Sequence, residues 1–97
     1  MPTTEYRYII AEIIYAPHEH SERSIRARPL MGQWAGPEYR IECPTSIRNM
    51  DNVGQLYRFY AKFKDTYMSP HLYTSYHWRP VRVTQKQAKA FIAKKMR

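Results

Sequence analysis

A chain of 97 residues has room for one domain and one core, and at this length folding hides on the order of two thirds of the exposable surface, which disfavours a deep internal active site. The 43% hydrophobic and 14% aromatic content excludes intrinsic disorder, and the single cysteine excludes an internal disulfide, so a reducing compartment is expected. The net charge of +8 is lopsided: up to Arg48 six arginines meet six acids, whereas from Asn49 onward ten lysines and arginines meet only Asp51 and Asp65, an asymmetry that attracts anionic surfaces.

Taken in chain order, Tyr6 to Ala16 is rich in Tyr and Ile and predicts a strand. One face carries Tyr6, Tyr8, Ile10, Glu12 and Ile14, the other Arg7, Ile9, Ala11, Ile13 and Tyr15. Both faces are mostly apolar, so the strand is expected at the centre of a sheet, with Glu12 the one acid placed inside. Pro17 ends it, because proline offers no N–H to a ladder. After a charged connection, Ser24 to Arg28 predicts a short strand with Ile25 and Ala27 inward and Arg26 and Arg28 outward, and Pro29 terminates it or marks an edge. Met31 to Pro37 holds two of the three glycines and reads as a turn region anchored by Trp34.

Glu38 to Cys43 alternates cleanly, Tyr39, Ile41 and Cys43 against Glu38, Arg40 and Glu42, and predicts a half-buried strand. Pro44 to Gly54 reads as a loop with one helical turn near Ser46 to Met50. Gln55 to Lys64 alternates again, Tyr57, Phe59, Ala61 and Phe63 opposing Leu56, Arg58, Tyr60, Lys62 and Lys64. Leu72 to Val83 is expected as the last strand, with Pro80 implying an edge or a bulge. Thr84, followed three residues later by Gln87, forms a capping-box pattern, and the helix it starts runs to about Met96 with Ala88, Phe91, Ile92 and Met96 on one stripe. Lys86, Lys89 and Lys94 lie off that stripe.

The expected fold is a single α+β domain over residues 1–97: a twisted antiparallel sheet of four or five strands with the C-terminal amphipathic helix on one face, the alternative being a small, partly closed β-barrel plus helix. No apolar run is long enough to span a bilayer, the most apolar stretch being broken by Glu12. Met1 to Glu5 lacks the pattern of a secretory leader, so a cytoplasmic protein is expected.

The candidate site is the sheet face of Arg58, Tyr60, Lys62 and Lys64, joined by Tyr76, Trp78 and Arg82 from the following strand, with Lys86 and Lys89 of the helix extending the field. Cations release counterions from phosphates and flat rings stack on unpaired bases, so these residue types together suit nucleic acid. The same residues also suit a solvated face whose lysines suppress edge pairing. Tyr57 to Phe63 lacks the glycine of the RNA-recognition-motif signature, and that family is not assigned. Arg23, Arg26 and Arg28 form a second basic group, offset by Glu19 and Glu22, better suited to a mixed-charge edge.

His18 and His20, with His71, His77 and Cys43 elsewhere, fall short of a zinc-ligand pattern, and no metal or other cofactor is expected. Cys43 reads as a core thiol and Glu12 as a hydrogen-bonded structural acid, and no catalytic motif occurs, so a non-enzymatic binding protein is expected. Two partners fit: nucleic acid, or an acidic protein surface docked by an accessory protein such as a regulator or inhibitor of phage or mobile-element type, including strand addition at the edge holding Ile25 or Val81. The assembly expected is a monomer or a homodimer through an edge strand.

Overall fold

The structure, a computed structural model, describes residues 5–17, 24–64, 70–75 and 77–95. Its elements are β1 (Arg7–Tyr15), β2 (Ile25–Pro29), a 3-10 turn (Met50–Asn52), β3 (Leu56–Lys64), β4 (His71–Thr74), β5 (Val81–Val83) and α1 (Gln85–Lys95). The path β2-β1-β3-β4 is antiparallel throughout, and β5 also pairs antiparallel with β3. This is the expected α+β arrangement, a curled antiparallel sheet with one C-terminal helix.

The alternation in β1 and β3 sets the two faces. Ile9, Ala11 and Ile13 of β1 and Phe59 and Ala61 of β3 are buried on the concave side with Ala27, Ala35, Ile41 and Leu72. The even-numbered residues face outward, and there Ile10 and Leu56 are covered by Ala88, Phe91 and Ile92 of α1, helped by Leu30 and Val83. Both faces of β1 are thus used, which explains its lack of a polar side. Glu12 lies on the outer face, opposite Arg28 and half-buried, so it is not an interior acid as expected.

Two expected strands take other forms. From Glu38 to Cys43 only Ile41 makes ladder contacts, antiparallel to Ala27 of β2 and parallel to Leu72 of β4. Leu72 donates its N–H to Arg40 O at 2.8 Å, and Glu42 donates to Leu72 O at 2.9 Å. This segment is a single-residue stave between the two open edges of the curl, and it draws the sheet toward a half-barrel. Its alternation is as expected, with Ile41 buried, Tyr39 and Cys43 half-buried against the core, and Glu38, Arg40 and Glu42 exposed. A turn bond from Tyr39 N–H to Gly36 O and Pro44 on the other side keep it short.

The expected strand Leu72–Val83 is broken into β4 and β5, which lie along the same edge of β3. Thr74 stands opposite Ala61 and Val81 opposite Arg58, so the pairing along β3 is interrupted near Pro80, where a bulge was implied. The helical turn expected near Ser46–Met50 sits slightly later, at Met50–Asn52, where the Asn49 side chain accepts from Asn52 N–H. The helix start is as the pattern implied: Gln87 N–H donates to Thr84 Oγ1 at 3.1 Å and Thr84 N–H donates to Gln87 Oε1 at 2.9 Å.

Candidate functional site

The outer face of the β1-β3-β4 region beyond the helix carries rings and cations together. Antiparallel register places Tyr8 opposite Tyr60, and Tyr60 sits at the hub of a ring cluster. Its centroid is 4.8 Å from Tyr8, 5.3 Å from Tyr6 in a stacked pair, and 5.4 Å from Trp78 in an edge-on pair. Such pairs add roughly 0.5–1.5 kcal/mol each beyond their area burial.

The three cations of β3 lie over these rings. Arg58 Cζ is 4.7 Å from the Tyr8 centroid, Lys62 Nζ is 5.2 Å from Tyr6 and 5.8 Å from Tyr73, and Lys64 Nζ is 4.9 Å from Tyr73. Among the described residues no carboxylate lies in ion-pair range of Arg58, Lys62 or Lys64; Glu42 is engaged instead by His71, at 3.0 Å. A ring orients a cation through its quadrupole but leaves the formal charge intact. Among the described residues, three positive charges therefore share one face with no carboxylate partner, beside Tyr8 and Trp78, which are 46% and 50% exposed. Desolvation raises the Tyr6 phenol above its ordinary value, and Tyr73 and Tyr60 add to the shift, consistent with a crowded row of phenols.

Of the residues singled out from sequence, Arg58, Tyr60, Lys62, Lys64 and Trp78 are brought together. Arg82 is not: it stands opposite Tyr57, on the other side of the sheet from Arg58, and donates Nε–H to Gln55 Oε1 at 3.1 Å. Val81 occupies the place opposite Arg58 instead. Lys86 and Lys89 are exposed on α1, off its packing stripe. Tyr76 lies outside the described residues, as do Arg23 and the pair His18 and His20. Among the described residues no group of three metal-capable side chains converges. Arg26 of the second basic group has its pKa lowered, first by burial and then by Arg28 and Arg40 nearby.

Sequence reasoning missed Tyr6, Tyr8 and Tyr73 as parts of this face. Tyr6 and Tyr8 already shared one side of their strand, but only the β1-β3 register sets them against Tyr60, and only the β3-β4 register sets Tyr73 against Lys62. It also missed Gln33, whose side-chain amide replaces a neighbouring strand at Ile10. Gln33 Oε1 accepts from Ile10 N–H at 2.6 Å, and Nε2 donates to Ile10 O at 2.7 Å and to Leu30 O at 2.9 Å. Beside it Trp34 donates Nε1–H to Tyr8 O at 3.0 Å. These bonds pin the 31–36 loop over the start of β1 and frame a pocket of about 480 Å³ between that loop, Tyr6, Tyr8, Tyr60 and Phe91. A second cleft, of about 590 Å³, lies between Trp78, Arg79 and Pro80 and the facing Glu42, Cys43 and Ile47.

No family model matches this chain, and no curated protein or solved structure matches it. Among the described residues no helix is long and apolar enough to cross a membrane.

Proposed function

We propose that the protein is a non-enzymatic binding protein that engages single-stranded nucleic acid on the outer face of β1, β3 and β4. The observation that carries the reading is the arrangement of Arg58, Lys62 and Lys64 over the rings of Tyr8, Tyr6 and Tyr73 with no described carboxylate to neutralise them. Phosphates take up the charge, releasing counterions, while exposed Tyr8 and Trp78 offer faces to unpaired bases. Base pairing hides those faces in a duplex, so single strands are preferred. Lys86 and Lys89 on the adjoining helix add long-range attraction.

Strand addition to a protein partner has less to support it. The outer edge of β2 is already engaged at Ala27 by Ile41, and β5 offers only three residues of ladder. Fluorescence anisotropy with short labelled DNA and RNA single strands tests the proposal. Three neutralised phosphates at roughly 0.7 counterions each give a log–log salt slope of about −2. Affinity then falls about 20-fold between about 50 and about 200 mM salt. Salt-independent binding, or capture of a protein partner with no affinity for either strand type, overturns the reading.

A further inference from the structure

We infer that the pocket formed by Tyr6, Tyr8, Trp34, Tyr60 and Phe91 captures one unstacked nucleobase by ring stacking alone, so that the protein holds single strands without regard to base identity; this rests on the nucleic-acid reading above. The volume of about 480 Å³ falls within the roughly 300–1,000 Å³ range of small-molecule sites, and five aromatic side chains line it. The pocket opens onto the same face as Arg58 and Lys62, since Tyr6, Tyr8 and Tyr60 belong to both. A strand whose phosphates follow those cations brings a base to its mouth. Arg7, exposed and with its guanidinium 5.6 Å from the Trp34 centroid, adds a further cation to the rim.

Indifference to base identity follows from where the polar groups of the lining are spent. Reading a base edge takes fixed donors and acceptors, normally amide side chains or main-chain groups. Here the Gln33 amide is held on both ends by Ile10 and Leu30, and the Trp34 N–H is held by Tyr8 O. The remaining polar groups of the ring walls are tyrosine hydroxyls, which rotate to donate or accept and so accommodate any base. The guanidinium of Arg7 donates only, and it lies over a ring plane instead of within the row of hydroxyls.

Anisotropy titrations with thymine, adenine and cytosine homo-oligonucleotides, and with an abasic oligomer of equal phosphate count, test the inference on the intact protein. The three homo-oligomers are expected to bind within about threefold of one another, and the abasic strand at least about 5-fold more weakly, the lower bound for loss of one base–aromatic stack. Tyr8→Leu, at an exposed position, is expected to weaken the homo-oligomers roughly 10-fold more than it weakens the abasic strand, whose affinity registers any displacement of Arg58 from the lost ring. Equal binding of the abasic and base-bearing strands, with the salt slope intact, overturns the pocket and leaves the phosphate reading standing. A preference above roughly 10-fold for one base overturns the indifference. No binding of any strand removes both readings. If Tyr8→Leu proves unfolded by circular dichroism, the same comparison in Trp78→Leu, which removes the exposed ring outside the pocket, decides: a persisting difference between abasic and base-bearing strands supports the pocket, and its disappearance overturns it.

Discussion

Replacing Lys62 and Lys64 together by glutamine removes two of the three cations on the ring-bearing face while keeping the side chains polar and comparable in length. Each lysine that meets a phosphate of a single strand accounts for roughly 0.7 released counterions, so the salt slope is expected to fall from about −2 to about −0.7. At about 0.1 M salt the loss of 1.4 counterions corresponds to about 25-fold weaker binding. The substitution also removes the contacts of Lys62 with Tyr6 and Tyr73 and of Lys64 with Tyr73. At roughly 0.5 kcal/mol each for exposed sites, these contribute about 1.5 kcal/mol. Against a stability of about 5–15 kcal/mol for a domain of this size the variant stays folded at room temperature, and its Tm falls by roughly 6–12 °C. Binding by anisotropy at several salt concentrations, with thermal melts alongside, separates the two effects. A slope equal to that of the wild-type protein would refute the argument even if affinity dropped, because weakened binding without a change in slope means that these lysines never met phosphate.

Three further outcomes test the frame that presents the face. Thr84→Ala removes the acceptor of the Gln87 N–H and is expected to cost about 1 kcal/mol, lowering Tm by about 4–8 °C with no change in the salt slope of binding; an unchanged melt means the capping box contributes nothing. Gly54→Ala meets no steric obstacle, since an added Cβ has no neighbour within 4 Å, but φ of +92° forces the left-handed region and is expected to cost about 1–2 kcal/mol in a denaturant titration; equal stability would show that the turn relaxes. The Tyr6 phenol, raised in the folded protein, contributes stability that is complete below its unfolded value near 10 and is lost as pH climbs through the folded one. Tyr6→Phe removes that loss, so melts taken from about pH 8 to pH 11 should decline less in the variant than in the wild-type protein, and parallel decline excludes Tyr6 as the source.

The parts of this fold that repeat within a few residues were legible in the chain itself. The two faces of β3 follow from strict alternation, and the helix start follows from Thr84 and Gln87 three residues apart, because both signals are local. What the chain did not disclose depends on register between distant segments. Alternation from Leu72 to Val83 sets Tyr73 and Arg82 on opposite sides but does not say which side meets the cations of β3; the pairing of Tyr73 with Lys62 and of Arg82 with Tyr57 puts Tyr73 there and not Arg82. Pro80 announced an interruption but not its size, since a proline states only that an N–H is missing. Ile41 shows the same limit. Its alternation with Tyr39 and Cys43 gave the buried side, while its contact with both β2 and β4 exists only because the sheet curls far enough to bring those edges within reach of one segment.

That curl is also what leaves the ring-bearing face available. With Phe59, Leu72 and Ile41 filling the concave side, the core is completed without help from the outer surface, and α1 needs to cover only the end where Ile10, Leu56 and Val83 are apolar. Beyond the helix the outer row carries Tyr8, Tyr60 and Tyr73 in company with Arg58, Lys62 and Lys64. A face serving solubility alone is met by mixed charges, with acids interspersed to quench the field, and gains nothing from large exposed rings. Glu12 stands opposite Arg28 and Leu56, two residues past Ile10 and away from the rings, and Glu42 is engaged by His71, which stands opposite Lys64, so neither acid is in ion-pair range of the three cations of β3. Rings and cations without a described carboxylate partner on one sheet, framed by a loop that Gln33 and Trp34 tie to β1, are the combination that the proposed single-stranded polyanion would satisfy at once on both counts.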